Sequence, residues 1–328
     1  MKATATANSN IALIKYWGKR DTRLNLPAVG SISITLDGLS TTTTVQFDAT
    51  LNVDTLLLNQ QVADQTSLGR VSKFLDIIRS ESGIYSRASV TSSNNFPTAA
   101  GLASSASAFA ALAASASKAA GLNATDVKLS EWARQGSGSA ARSIFAGFVE
   151  MNKGQAEDGS DAIAVQLAEK NFWDIRLLIA ITSDKAKTTG STVGMKLSEK
   201  SSPYYPVWVD TAEADLAEMR AALLNKDFQK VGELSEYSCL KMHALAQSGN
   251  PGVIYWNGAT VNVIHTVQEL RAQGIATYFT IDAGPQVKVL CMPGNLISIK
   301  KSLEQVPGVL RIIETRPGDA VQITEVTS

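Results

Sequence analysis

The run Pro97-Thr98-Ala99-Ala100-Gly101-Leu102-Ala103-Ser104-Ser105-Ala106-Ser107 constrains this chain more than any other stretch. It follows a β-type segment, residues 86–92, and the turn pair Asn94-Asn95, and it runs unbroken into the alanine-rich residues 106–120. Alanine is the best helix former, so the order predicted is strand, small-residue loop, helix. Small side chains let an anion approach the backbone. At a helix N-terminus, unpaired N–H groups converge with about half a positive charge. No Gly-Lys-Ser/Thr closes the loop, so it is not a Walker arrangement. An Ala/Ser helix packed closely on a sheet, with Gly101 only turning the chain, would read the same. The loop by itself leaves both readings open.

At 328 residues the chain exceeds one comfortable core, and two domains are expected. The composition, 45% hydrophobic and 18% charged, is that of a globular protein. Thirty Lys plus Arg balance thirty Asp plus Glu, so nothing global draws in nucleic acid or an anionic membrane. A polyanionic ligand would need locally concentrated cations. Cys239 and Cys291 form no CxxC, which argues against a disulfide framework or a zinc site and for two buried reduced thiols. The opening Met1-Lys2-Ala3-Thr4 turns polar at Asn8-Ser9-Asn10, unlike a signal peptide, and no run of about 20 apolar residues exists. A soluble, cytoplasmic protein is expected, with no membrane and no nucleic-acid partner.

Strand-like runs fill the first third, at residues 12–14, 31–36 and 41–47, the last two separated by an Asp37-Gly38 turn. Leu68, Val71, Leu75 and Ile78 recur at helical spacing over 67–82. Residues 161–169 read as a helix, and 174–181 as a buried strand opening a second half. There, helices are expected near 211–225, 228–246, 259–273 and 296–306, and strands at 276–281, 287–292 and 310–314. The fold class is α+β, with a boundary at 172 giving domains 1–172 and 173–328.

Four further constellations carry chemistry. Asn10 to Arg20 reads NIALIKYWGKR: in a regular strand Lys15, Trp17 and Lys19 share one face, Tyr16 lies on the other, and Asn10 and Lys15 oppose each other. A bend or a Gly18 turn must therefore decide what faces a site, and lysines protecting an edge strand are the competing explanation. In Arg134-Gln135-Gly136-Ser137-Gly138-Ser139-Ala140-Ala141-Arg142-Ser143, a Gly/Ser loop enters a helix bearing an arginine, whose guanidinium grips carboxylate or phosphate in paired hydrogen bonds. Lys185-Ala186-Lys187-Thr188-Thr189-Gly190-Ser191-Thr192-Val193-Gly194-Met195 could wrap a phosphate or be a mobile linker. Asp282 ends a strand before Ala283-Gly284-Pro285, where a carboxylate commonly caps backbone. His243 and His265 read as ordinary helix residues.

Together these residues resemble the GHMP kinase superfamily, and within it the diphosphomevalonate decarboxylase family. Residues 97–107 look like the phosphate-binding motif Pro-x-x-x-Gly-Leu-x-Ser-Ser-Ala-Ser; NIALIKYWGKR, residues 137–143, residues 189–195 and Asp282-Ala283-Gly284-Pro285 match as well. The resemblance implies an N-terminal ribosomal-protein-like domain and a C-terminal ferredoxin-like domain, with ligands in the cleft between them. It implies a cytoplasmic homodimer using ATP and Mg²⁺ to convert mevalonate 5-diphosphate to isopentenyl diphosphate. Asp282 would meet the 3-hydroxyl, Lys15 would stand beside Asp282 or the moving phosphoryl group, and Arg142 would hold the C1 carboxylate. Ser105 would act at the reaction centre. Asn10, Tyr16, Lys19, Ser137, Ser139 and Ser191 would bind substrate, with Tyr16, Lys19, Ser137 and Ser139 on the diphosphate tail. Pro97, Gly101, Leu102, Ala103, Ser104, Ser105, Ala106 and Ser107 would cradle ATP, with Lys187, Met195 and Ser191 closing over it. No kinase-type acidic Mg²⁺ ligand matches, so metal ligands stay unassigned. A sister enzyme acting on mevalonate or its monophosphate (a 3-kinase or a monophosphate decarboxylase), or a silent sensor of the same fold, would share much of this pattern.

Overall fold

The computed structural model describes residues 1–96 and 104–327. Its first layer is an eight-stranded sheet. In order run Gln322–Thr327, Lys2–Ile14, Ser31–Asp48, Arg87–Asn94, Thr55–Leu58 and Gln61–Val62; Phe148–Met151 and Ala164–Ala168 attach along Ser31–Ile34. Pairing is antiparallel except between Thr55–Leu58 and Arg87–Asn94. Helices Gln65–Ser82, Ser104–Ala119 and Asp126–Gly136 cover one face. The first is started by Asp64, whose carboxylate accepts from the Ser67 amide at 2.9 Å, and stopped by Gly83 at φ +71°. The alanine-rich helix meets the alanines of the first strand: Ala3, Ala5 and Ala7 are fully buried against Ala110, Ala113 and Ala114. Small residues on both sides bring helix and sheet backbones close.

Two expectations need correction. Asp37-Gly38 does not separate two strands: Ser31–Asp48 is one 18-residue strand. Its partner skips from Asn8 opposite Ser40 to Asn10 opposite Thr35, so residues 36–39 bulge out with Gly38 at φ +75°. Residues 161–169 are not a helix. Ala164–Ala168 is a strand on Phe148–Met151, where cross-strand pairing overrides a short stretch of helix-compatible residues. Helices Asp126–Gly136 and Ser191–Ser201 were not anticipated from the sequence.

The second layer is a four-stranded antiparallel sheet in the order Thr277–Ile281, Val287–Cys291, Arg176–Ile181, Arg311–Thr315. Gly258–Ala272 and Leu296–Glu304 close its outer face around Val263, Val267, Ile281 and Val289. Between the layers, Tyr205–Leu224 and Phe228–Gln247 supply Leu216, Met219, Leu223, Val231 and Leu234. These pack with Ile11, Leu13, Ile32 and Ile34 of the first sheet and Leu177, Ile179 and Leu290 of the second. The mixed α+β two-layer architecture agrees with the expected fold class. The last strand, Gln322–Thr327, returns to the first sheet beside Lys2–Thr6. Among the described residues no helix is long and apolar enough to cross a membrane.

Candidate active site

The bulge that upset the Asp37-Gly38 reading also settles which way Asn10 faces. Beyond it, Asn10 is buried with its amide donating to Ser143 Oγ at 2.7 Å and the Ser139 carbonyl at 3.0 Å. Its Oδ1 accepts from Arg142 Nη2 at 3.1 Å. Arg142 lies on the 3-10 turn Gly138–Ile144 and is 2% exposed. It also donates to Ser31 Oγ at 2.6 Å and Ser33 Oγ at 3.0 Å. All three acceptors are neutral, and no carboxylate among the described residues bonds the guanidinium. Burial pulls its pKa down to about 10 against the opposing fields of Asp282 and Tyr16. A buried cation held in place by neutral hydroxyls and an amide is poised for an external anion.

The strand stops at Ile14, and the next four residues leave it in different directions. The expectation that Lys15, Trp17 and Lys19 share a face fails because they are not in one strand. Lys15, 1% exposed, reaches across to the second layer and donates to Asp282 Oδ1 at 2.7 Å and to the Ala12 carbonyl at 2.7 Å. The Asp282 side chain is 24% exposed, so the acid and not the lysine meets solvent. Burial alone would raise the Asp282 pKa, but Lys15, then Lys288 and Arg142, outweigh it and hold the carboxyl below its usual range. Trp17 is an anchor: its indole donates to Ser198 Oγ at 3.0 Å, and its carbonyl accepts from Trp208 Nε1 at 2.9 Å.

Tyr16 turns towards the Gly/Ser loop. Its hydroxyl has no hydrogen-bond partner among the described residues, and burial pushes its pKa up. A Cβ at Gly138 would lie 2.4 Å from that oxygen, so glycine is required there by close approach. Ser137 Oγ lies 3.3 Å from Ser105 Oγ and 3.4 Å from Ser139 Oγ, a file of hydroxyls joining the alanine-rich helix to the 3-10 turn. Lys19 sits on the short strand Lys19–Asp21, its pKa lowered by burial and then by Arg70. Arg70, absent from the sequence reading, donates to the Gly136 carbonyl at 3.3 Å.

Lys187 donates to the Ala283 carbonyl at 2.9 Å, bringing its loop onto the Asp282 turn. Burial lowers its pKa while Asp282 opposes the shift. Ser191 opens a helix whose N-cap, Gly190, supplies no side-chain bond. Met195 is buried in the cluster with Trp17, Tyr255 and Ala283. Ser104 and Ser105 are half-buried at the start of their helix, whereas Ala106 is buried and Ser107 hydrogen-bonds Thr41 Oγ1 at 2.7 Å in the core. Pro97, Gly101, Leu102 and Ala103 lie outside the described residues.

Sequence reasoning missed Lys288, a fully buried lysine in the apolar strand Val287–Cys291. Burial drops its pKa to about 8 despite the favourable field of Asp282. Its place in an otherwise hydrophobic strand was the available signal. Sequence reasoning also missed how the edge strand Thr277–Ile281 is sealed. Helix Phe228–Gln247 offers Glu236 Oε1 to the Phe279 amide at 3.1 Å, Cys239 Sγ to the Ile281 amide at 3.2 Å, and His243 Nε2 lies 3.3 Å from the Ile281 carbonyl. The Cys239 thiol is pushed up to about 11 by burial, so it is not a nucleophile.

Cations from both layers thus surround one acid at the end of an edge strand, although the chain as a whole has no net charge. Among the described residues no three His, Cys, Asp or Glu gather as a metal site. Two mixed layers with this charged cluster at their junction, matched by solved structures of the fold, place the chain in the GHMP kinase class. Residues 7–164 match the diphosphomevalonate decarboxylase-like N-terminal domain, and residues 177–319 match the mevalonate 5-diphosphate decarboxylase C-terminal domain. The chain belongs to the diphosphomevalonate decarboxylase family. Over 98% of each chain it is 35% identical to the diphosphomevalonate decarboxylase of Candida albicans. The crystal structure of mevalonate diphosphate decarboxylase from Staphylococcus aureus superposes at a TM-score of 0.93, with 39% identity over 99% of this chain and 98% of that one. A structure described as MDDEF in complex with MVAPP, AMPPCP and magnesium is similar at 38% identity and TM-score 0.93, covering 99% of both chains.

Proposed function

We propose that this protein decarboxylates mevalonate 5-diphosphate at the expense of ATP, giving isopentenyl diphosphate, ADP, phosphate and CO2. The observation that carries the residue assignment is the Lys15–Asp282 pair at 2.7 Å, joining the two layers near the field of Arg142. The substrate is a tertiary 3-hydroxy acid, and hydroxide is a poor leaving group. The γ-phosphoryl group therefore moves first: the O3–P bond forms, the bond to ADP breaks, and the hydroxyl proton passes to Asp282. A carboxylate of low pKa suffices, because in a loose phosphoryl transfer the attacking hydroxyl sheds its proton late. Phosphate then leaves C3 with its bonding electrons. The C1–C2 bond breaks, its electron pair forms the C2–C3 double bond, and CO2 departs.

Arg142 would hold the C1 carboxylate in line for that second step, with Asn10 fixing the guanidinium. Tyr16, Lys19, Ser137 and Ser139 would take the diphosphate, supported by the unpartnered Tyr16 hydroxyl. Ser104 and Ser105 would meet ATP phosphates, with Ser191 and Lys187 on the opposite side. Mg²⁺ needs few protein ligands when phosphates supply oxygens, which fits the lack of a three-ligand His, Cys, Asp or Glu group among the described residues. The hydroxyls of Ser104 and Ser105 are the candidate ligands, and the ion would neutralise phosphate charge. The domain division falls between residues 172 and 173, placing Arg142 on one side and Lys187, Asp282 and Lys288 on the other, with Gln322–Thr327 lent back to the first sheet. The reading includes a cytoplasmic homodimer.

The test is to measure ADP, phosphate and CO2 in parallel with mevalonate 5-diphosphate, identifying the product by mass, and to repeat it with mevalonate and its monophosphate. Equal release of all three with the diphosphate alone is expected. ADP without CO2 would mark a 3-kinase, and no substrate-dependent ADP would mark a sensor.

A further inference from the structure

We propose that Lys288 is a positioning residue for Asp282, a buried ammonium that clamps the carboxylate from beneath while Lys15 holds it from the first layer. The inference rests on the catalytic reading of Asp282 given above. It begins with strand register. Lys288 is the direct partner of Thr280 across the antiparallel pair, and Asp282 follows Thr280 by two residues. Side chains two apart share a face, and diagonal neighbours of this kind lie about 7–8 Å apart at Cα, within reach of a lysine. The shared face is visible in the contacts. Thr280 Oγ1 donates to the Ala12 carbonyl at 3.3 Å, and Lys15 donates to that same carbonyl and to Asp282.

Position 288 is a core position by pattern. Val287, Val289 and Cys291 point into the outer core, and Leu290, on the face of Lys288, packs between the layers. An ammonium in such a place is costly unless an acid compensates it. Asp282 is the acid whose field favours the charged lysine, and Lys288 reciprocally favours the carboxylate. The Lys288 ammonium also lies 3.4 Å from the Gln286 carbonyl, within the turn that follows Asp282. Gln286 is itself fixed: its Oε1 accepts from the Thr182 amide at 2.6 Å, and its Nε2 donates to the Ser183 carbonyl at 2.6 Å. The clamp therefore has a rigid base. Asp282 is faced by Lys15 from just past the first strand, Arg142 from the 3-10 turn, Lys187 from its loop, and Cys239 and His243 from the helix Phe228–Gln247. The last two are uncharged near neutral pH, Cys239 held up to about 11 and His243 down to about 3.

The decisive experiment titrates the carboxyl carbon of Asp282 by NMR in the full-length protein labelled at aspartate, with Asp282→Asn assigning the signal. In Lys288→Met the Asp282 midpoint should rise by about one unit. With both substrates at saturation, kcat should fall about tenfold or more, its acid limb moving up with the carboxyl, while both KM values stay within about twofold. The reciprocal measurement needs no change at 288: in Asp282→Asn the Lys288 Cε resonance should titrate below its native midpoint. An unmoved Asp282 midpoint in Lys288→Met overturns the proposal. Should that variant not fold, an unmoved Lys288 midpoint in Asp282→Asn overturns it alone. If the midpoints shift but Asp282→Asn still turns over, the clamp stands and the catalytic reading of Asp282 falls.

Discussion

Asp282 is bonded to a cation yet still meets solvent, and that sets it apart from the fully buried pair Arg79–Asp54. Arg79 and Asp54 are both buried and brace the first layer, so neither can meet a ligand. Asp282 keeps 24% of its side chain accessible while three cations hold it ionised. An ionised acceptor throughout the neutral range is what a hydroxyl nucleophile needs. Replacing it with a neutral isostere should therefore remove chemistry and spare binding. In Asp282→Asn, kcat should fall about 10²-fold or more with ATP affinity nearly unchanged. A variant retaining over about a tenth of the native kcat would take Asp282 out of the reaction.

The helix Phe228–Gln247 is both a packing element and a substitute strand. Its Val231 and Leu234 fill the layer junction, while Glu236, Cys239 and His243 occupy the hydrogen-bonding edge of Thr277–Ile281. The electrostatic consequence is carried by His243. Burial first, then the charge of Lys15, lowers its pKa to about 3. The unfolded chain binds a proton at about 6.5 and the folded chain does not, so the unfolded state gains protons as pH falls below about 6.5. The stability linked to neutral His243 is thus complete above that value and is lost as pH drops towards 3. Between pH 7 and 5 the loss is about 2 kcal/mol. In His243→Gln that slope should vanish, and denaturant unfolding at both pH values measures it. An unchanged slope would mean that another group carries the acid sensitivity. The pairing of this edge with a helix was not legible in the sequence. A 3.6-residue period locates the helix, but no local pattern tells which side chains will meet a distant strand.

At the scale of the whole molecule, a large apolar cluster joins the two layers. Ile11, Leu13, Ile32 and Ile34 from the first sheet and Leu177, Ile179 and Leu290 from the second pack on Leu216, Met219 and Leu223. Neither sheet can lose its partner without exposing that surface, so calorimetry should record a single unfolding transition. Two resolved transitions would show independently stable domains. Much of this arrangement was legible. Most of the strand and helix order between residues 205 and 315, the Lys15–Asp282 association and the burial of both cysteines followed from pattern or resemblance. Lys288 escaped because a single lysine in an apolar run has no periodic signature; only register gives it a neighbour. Ser31 and Ser33 read as strand residues, and nothing local said that their hydroxyls would face Arg142. The helix expected at 161–169 failed because nine residues are too few for periodicity to outvote the pairing of Ala164–Ala168 with Phe148–Met151.

The sealed edge has one more consequence. The Phe279 and Ile281 amides are satisfied by a glutamate oxygen and a cysteine sulfur on another element, not by a neighbouring strand. Their exchange with deuterated solvent therefore records excursions of the helix Phe228–Gln247, whatever the sheet does. Since Ile281 adjoins Asp282, the lifetime of the helix's seating sets how long the acid's backbone stays in register. The strand end that carries the chemistry borrows its rigidity from side chains of a helix instead of from a neighbouring strand.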